Sequence, residues 1–162
     1  MEIINIYGDN RFEKVNKKRI ACRGIIVLDD KILLTNEVNM DQWFIPGGGL
    51  EPNETLEECC IREMAEETGE LVTIFESYLI INEYYEDWHF ESYYFICGLL
   101  GKTKRKLTSR EIEAGLEPRW ISLAEAIDIF SKHQGFADNE MKRGAYLREY
   151  NALLCYINKY KK

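Results

Sequence analysis

Apolar and polar residues alternate in two rhythms along this chain, and the switches between them predict its elements. "IACRGIIVLDDKILLT" (20–35) sets two apolar runs around Asp29-Asp30-Lys31, the pattern of a β-hairpin. "QWFI" (42–45) reads as a short strand that stops at Pro46-Gly47-Gly48-Gly49, where flexible backbone is expected. Thr55-Leu-Glu-Glu58 fits the S/T-x-x-E capping box, so a helix should begin there, and Gly69 is placed to end it as a left-handed cap. Two long β-rich runs follow, "LVTIFESYLIINEYY" (71–85) and "WHFESYYFICGLL" (88–100). A polar loop, "GKTKRKLTSREIEAGLEP", leads to a short strand "RWIS". Ser122-Leu-Ala-Glu125 is a second capping box, opening a helix through about Phe130. In the tail, Leu147, Tyr150, Leu154 and Ile157 recur at helical spacing on one face. Hairpin, helix, long hairpin, helix, helix predicts a mixed β-sheet packed between helices, a three-layer α/β arrangement.

With 162 residues and no repeat or low-complexity tract, the chain is expected to form one domain over 1–162. No apolar run approaches the roughly 20 residues that span a bilayer, and "MEIINIYGDNRFEK" lacks the layout of a secretory signal, so a cytoplasmic protein with no membrane partner is expected. The cysteines Cys22, Cys59, Cys60, Cys97 and Cys155 are odd in number and lack metal-ligand spacing, which fits reduced, buried thiols. The net charge of −7 argues against a nucleic-acid polymer as partner. The basic stretches "KTKRK" and "KYKK" read as solvated loop and tail. An acidic protein can still handle phosphates if divalent cations bridge the two negative parties.

The segment 47–70, "GGGLEPNETLEECCIREMAEETGE", poses that question directly, with eight glutamates and one arginine. Glu63, Glu66 and Glu67 form an i, i+3, i+4 set covering about 100° of a helix, and like charges so spaced cost about 0.2–0.5 kcal/mol per pair. Leu56, Cys60 and Met64 form an adjoining apolar stripe, which would leave the carboxylates at the edge of the buried surface, facing the glycines. Clustered hard oxygens there suit Mg²⁺ or Mn²⁺. Glu58, Arg62 and Glu66 at i, i+4 also fit a solvated ladder of ion pairs. The adjoining glycines favour the metal, because close backbone approach to an ion or phosphate needs missing side chains.

The segment resembles the Nudix box: Gly, five residues, Glu, seven residues, Arg-Glu-apolar-x-Glu-Glu-x-Gly-apolar. It matches at Gly48, Glu54, Arg62, Glu63, Met64, Glu66, Glu67 and Gly69, and departs at Glu70, where an apolar residue is expected. The resemblance implies a Nudix-type α/β/α sandwich. It also implies divalent-metal-dependent hydrolysis of the diphosphate linkage in a small nucleotide derivative: a nucleoside triphosphate, a nucleotide sugar such as ADP-ribose, or a dinucleoside polyphosphate. Carried over, Glu63, Glu66 and Glu67 are metal ligands with the Gly48 carbonyl a further candidate, Arg62 orients the carboxylates, and Glu54 supports the loop and helix. The family often forms homodimers. The rival reading is a catalytically silent Nudix-fold module that senses nucleotides or binds partners.

Outside the box, "YYEDWHFESYYF" (84–95) offers either a stacking wall for a base or cross-strand aromatic packing. Trp43, His89 and His133 read as structural. Nudix proteins often place an additional catalytic or metal-binding acid in the loop before the last strand, although each acid there also fits a solvated loop. Of Glu111, Glu113 and Glu117, Glu113 is the first choice for a general base and Glu117 the second, with Glu63 the candidate within the box.

Overall fold

Period-two alternation divides each central strand between two faces. In strand β2 (Lys17–Ile25), Cys22 points to one core and Ile25 to the other. In β4 (Lys31–Glu37), Leu33 is set against Ile32 and Leu34 in the same way. The computed structural model describes residues 1–161, and in it these strands belong to two sheets. The larger sheet has the order β1 (Glu2–Tyr7), β7 (Glu70–Tyr85), β8 (Trp88–Lys102), β2 and β6 (Gly47–Gly49). It is mixed: β1/β7 and β2/β8 are parallel, whereas β7/β8 and β2/β6 are antiparallel. The smaller sheet is antiparallel. In it β9 (Leu116–Ser122) pairs along one edge of β4, with β3 (Val27–Leu28) and β5 (Gln42–Phe44) on the other.

Helix α1 (Leu56–Thr68) covers one face, closing a core of Cys22, Leu33, Cys59, Cys60, Met64 and Phe95. Helices α3 (Leu123–Ser131) and α4 (Glu140–Tyr160) cover the other, against Ile25, Leu34, Tyr78, Leu79 and Tyr94. The three-layer α/β/α order is therefore present, with two sheets in the middle layer. No described helix is long and apolar enough to cross a membrane.

The capping signals account for α1. Thr55 accepts from the Glu58 backbone N–H while Glu58 reaches back to that of Thr55, and Gly69 closes the helix at φ 76°. The 20–35 hairpin forms through Asp29 and Asp30, both at positive φ as a two-residue I′ turn requires. Its first arm is split at Ile26, so that β2 joins the large sheet and β3 the small one.

Three expectations are corrected. Gly47–Gly49 is not loose backbone but edge strand β6, paired with Ala21, Cys22 and Arg23. The polar stretch before β9 holds a helix, α2 (Ser109–Ala114), with a complete capping box from Thr108 to Glu111 and a left-handed stop at Gly115. The buried face of α4 is turned from the predicted stripe by one residue, about 100°. Tyr146, Glu149, Leu153 and Tyr156 point inward, while Leu154 is exposed.

Candidate active site

Helix α1 lays its carboxylates against the glycine strand. A Cβ built on Gly48 would lie 2.5 Å from the Glu63 carboxyl carbon, so only glycine lets that side chain meet the strand. Cys59 Sγ donates to the Gly48 carbonyl at 3.5 Å, and the Gly47 N–H donates to Glu67 Oε1 at 2.8 Å. Glu67, only 7% exposed, is thus fixed at the β5–β6 turn.

Arg62 is the counter-charge. Its Nε donates to Glu54 Oε2 at 2.6 Å and Nη2 to Glu54 Oε1 at 3.0 Å, a bidentate pair. Nη1 reaches Glu63 Oε1 at 2.8 Å and Glu66 Oε2 at 3.2 Å, and Nη2 also donates to the Gly49 carbonyl at 2.9 Å. The Arg62 hydrogen bonds hold the Glu54 carboxyl down at about 2. Hydrogen bonding to Glu54 and Glu63 in turn raises the Arg62 pKa.

The remaining acids are only partly compensated. Burial raises the Glu63 pKa despite Arg62, with Glu66 and Glu111 adding repulsion. Burial raises that of Glu67 well above the ordinary carboxylate range, helped by a hydrogen bond with Glu111 and by the Glu63 charge, against the Gly47 N–H. Of the three loop acids, then, it is Glu111 that the capping box of α2 turns toward the box carboxylates. Glu113 is exposed, and only its backbone carbonyl is engaged, by Asn39 at 2.9 Å. Glu117 is exposed on β9, 3.6 Å from Arg105. The structure thus brings Glu111, and neither Glu113 nor Glu117, beside the box carboxylates, because successive residues of a short helix point different ways.

Among the described residues, no three His, Cys, Asp or Glu side chains already converge as a metal cage. Arg62 explains this, because it draws Glu63 and Glu66 toward itself. The donor set nonetheless suits a hard divalent cation. Glu63, Glu67 and Glu111 are mutually repelling carboxylates beside a backbone carbonyl, and Glu67 has only one N–H to offset its burial.

On the opposite face of β2 lies a cavity of about 180 Å³ between the sheet and α4, reaching Gly47 and Gly48. Arg148 spans its wall, donating from Nη1 to Glu83 Oε2 at 3.0 Å and from Nε to Glu149 Oε1 at 2.9 Å. Tyr85 donates to Glu83 Oε1 at 2.9 Å. Glu149, 0% exposed, also accepts from Tyr94 and from the Ile45 N–H at 2.5 Å. Burial works against its charge, yet Arg148 and Arg23 outweigh that and hold its carboxyl below the ordinary range.

Sequence reasoning missed this network, since an Arg-Glu pair in a tail helix reads as solvated. The alternation of Arg19, Ala21 and Arg23 along β2 was the available signal for the cavity wall. The aromatic run divides between roles: Tyr84 stacks on His89 across the hairpin at 4.6 Å, while Tyr85 and Phe90 line the cavity. Trp43 packs at the edge of the α3/α4 core, and His133 lies against Tyr150.

The NUDIX domain model matches residues 18–141. The ADP-ribose pyrophosphatase of Methanocaldococcus jannaschii is 37% identical over 41% of this chain and 48% of its own length. Diphosphoinositol polyphosphate phosphohydrolase 2 of Mus musculus is 27% identical over 73% of this chain and 65% of its own. The chain thus covers less than two thirds of either relative. A solved NUDIX hydrolase from Nitrosomonas europaea shares the fold, with a TM-score of 0.58 at 24% identity over 84% of this chain and 90% of that one. With a family model matching most of its length and the box lodged between α1 and the glycine strand, this chain belongs to the NUDIX domain family.

Proposed function

We propose that the chain is a Nudix pyrophosphohydrolase that uses Mg²⁺ or Mn²⁺ and an activated water to cleave the diphosphate linkage of a small nucleotide derivative. The observation that carries this reading is the junction of α1 with β6, where Glu63 lies against Gly48 and Glu67 accepts from the Gly47 N–H, with Glu111 beside them. Glu63, Glu67 and Gly48 hold the cation in this reading, with Glu66 joining once it leaves Arg62. When bound, that ion neutralises diphosphate charge and acidifies the attacking water.

The chain's own groups do the rest. Arg62 and Glu54 fix the helix relative to the strand, so the acids are placed before substrate arrives. Glu111, carried on α2 at the rim, takes the proton of the attacking water, with Glu63 the alternative base. The neutral group attached to the diphosphate occupies the cavity under α4. The two relatives named above act, by their names, on ADP-ribose and on diphosphoinositol polyphosphates, and a nucleotide suits this chain's cavity better because its wall offers Tyr85 and Phe90 to a single ring.

The test is phosphate release over a panel of nucleoside triphosphates, nucleotide sugars and dinucleoside polyphosphates, with and without EDTA. Turnover that survives EDTA excludes the mechanism. Binding without turnover in the presence of Mg²⁺ and Mn²⁺ makes the chain a sensing module instead.

A further inference from the structure

β6 is an edge strand with no side chains, and its two faces look at opposite charges. Gly48 pairs with Cys22, and both face α1 and its acids. Gly47 and Gly49 pair with Arg23 and Ala21, two residues that line the cavity. There a Cβ on Gly49 would lie 3.2 Å from Arg19 Nη2, and one on Gly47 would lie 2.7 Å from Arg23 Cγ. The missing side chains thus leave room for two guanidinium groups beside the strand.

These two arginines differ from the others in the site. Arg62 and Arg148 each have carboxylate partners. Among the described residues Arg19 and Arg23 have no carboxylate within salt-bridge distance, although the Arg23 charge acts on Glu149 from further off. Arg23 donates once, from Nη1 to the Ile45 carbonyl at 3.1 Å, and its Nε is buried without an acceptor. The acids nearby are already engaged: Glu149 by Ile45, Tyr94 and Arg148, and Glu83 by Tyr85 and Arg148. Three guanidiniums, of Arg19, Arg23 and Arg148, therefore line the cavity beside the single carboxylate of Glu83, with Glu149 bonded to Arg148 outside the lining, in a chain of net charge −7. A buried donor without an acceptor and an excess of positive charge both call for an anion, and the planar fork of arginine matches phosphate oxygens.

We propose that Arg23, assisted by Arg19, is a specificity-determining clamp for the phosphate lying on the cavity side of β6, the side away from the α1 carboxylates. The substrate then crosses a bare edge strand, one phosphate on each face, with an uncharged group beyond. The cavity, at about 180 Å³, is smaller than the roughly 300–1,000 Å³ of sites that enclose whole drug-sized ligands. It takes one ring-sized group between Phe90, Tyr85 and Met141, and its volume leaves no room for a ring carrying several phosphates.

This inference rests on the pyrophosphohydrolase reading for the position of the second phosphate, but its central test needs no turnover. Pyrophosphate binding is measured by calorimetry in EDTA for wild type, Arg23→Ala, Arg23→Lys and Arg19→Ala. Each alanine variant should weaken binding about tenfold or more, with Arg23→Lys between them and wild type. Circular dichroism and Tm report whether Arg23→Ala folds. Arg19 is exposed and makes no internal hydrogen bond among the described residues, so Arg19→Ala decides the matter if Arg23→Ala does not fold.

On the best nucleotide of the panel, the same variants should raise KM about tenfold or more with kcat within about threefold of wild type. Unchanged pyrophosphate affinity in Arg19→Ala and Arg23→Lys overturns the clamp, even if the wild type is an active hydrolase. Arginine-dependent pyrophosphate binding in a protein that turns over nothing supports the clamp and removes the hydrolase reading. A diphosphoinositol polyphosphate turned over as well as the best nucleotide overturns the assignment of the cavity to an uncharged group.

Discussion

Glu54→Gln isolates the contact on which the charge balance of the box depends. Arg62 holds both Glu54 oxygens, at 2.6 and 3.0 Å, and brings this carboxyl from its ordinary 4.5 to about 2. A carboxylate whose pKa is depressed on folding contributes stability above its unfolded pKa, and that contribution is lost as pH falls through the folded one. The drop corresponds to about 3 kcal/mol at pH 7. Glu54 lies in the outer layer of the protein, so solvent screening lowers this figure. Arg62 keeps Glu63, Glu66 and the Gly49 carbonyl after the substitution, which brings the expected loss nearer to about 2 kcal/mol. Urea unfolding in EDTA, at pH 7 and again at pH 3, measures it. The gap between wild type and variant should shrink to about half at pH 3, where the unfolded carboxyl is protonated and the folded one is not. Glu57→Gln, at an exposed position on the same helix, should leave stability within about 0.5 kcal/mol. Equal stabilities at pH 7, or a gap that does not change with pH, would refute the role given to the Arg62 pair.

The other predictions concern the acids themselves. Glu63→Gln and Glu67→Gln should each lower kcat roughly 10²–10⁴-fold with the fold intact by circular dichroism; near-wild-type rates in both would remove the box from the chemistry. Burial and neighbouring acids raise the pKa values of Glu63 and Glu67, so their contribution to metal-free stability is greatest below the ordinary carboxylate pKa and is lost as pH rises through the raised one. In EDTA, Tm should therefore drop from pH 5 to pH 7.5 in wild type more than in a Glu63→Gln/Glu67→Gln double variant. Mg²⁺ or Mn²⁺ should raise Tm at pH 7.5 through linkage. Glu111→Gln should reduce kcat by 10²-fold or more while Glu113→Gln stays within about threefold, as single-turnover rates would show; the reverse order would return the base to Glu113.

The parts of this molecule that were legible in the sequence are those fixed by local physics. The Thr55 capping box, the Gly69 stop, the Asp29-Asp30 turn and the long hairpin each depend on a few adjacent residues. The same logic was available at Thr108-Ser109-Arg110-Glu111, where a capping box followed by Gly115 marks a short helix inside what reads as a polar loop. Seeing that helix would have singled out Glu111, because N3 of a capping box has a defined direction. The strand character of Gly47–Gly49 was not legible, since three glycines have no propensity for it and pairing with β2 imposes it. The burial of Arg148 and Glu149 was also hidden. Charged residues count as polar in any periodicity, so the stripe drawn through Leu147 and Leu154 fell on the flank of the helix and its true face was read as solvent.

That hidden face is where the position of the glycine strand is decided. β6 has a single neighbour in the sheet and no side chains to pack, so nothing intrinsic to it fixes the Gly48 carbonyl in space. Three separate parts of the chain hold the turn that leads into it. Glu149 on α4 accepts from Ile45, Gly24 in β2 donates to the Pro46 carbonyl at 3.0 Å, and Glu67 on α1 accepts from Gly47. Two of these anchors are buried carboxylates, which are costly unless charge and hydrogen bonds compensate them. Arg148 and Arg23 compensate Glu149, whereas Glu67 has the Gly47 N–H but no cationic partner beside the other acids. The asymmetry separates their tasks: the satisfied carboxylate on α4 is an anchor, and in the proposed mechanism the unsatisfied one on α1 is an anchor that also receives the cation.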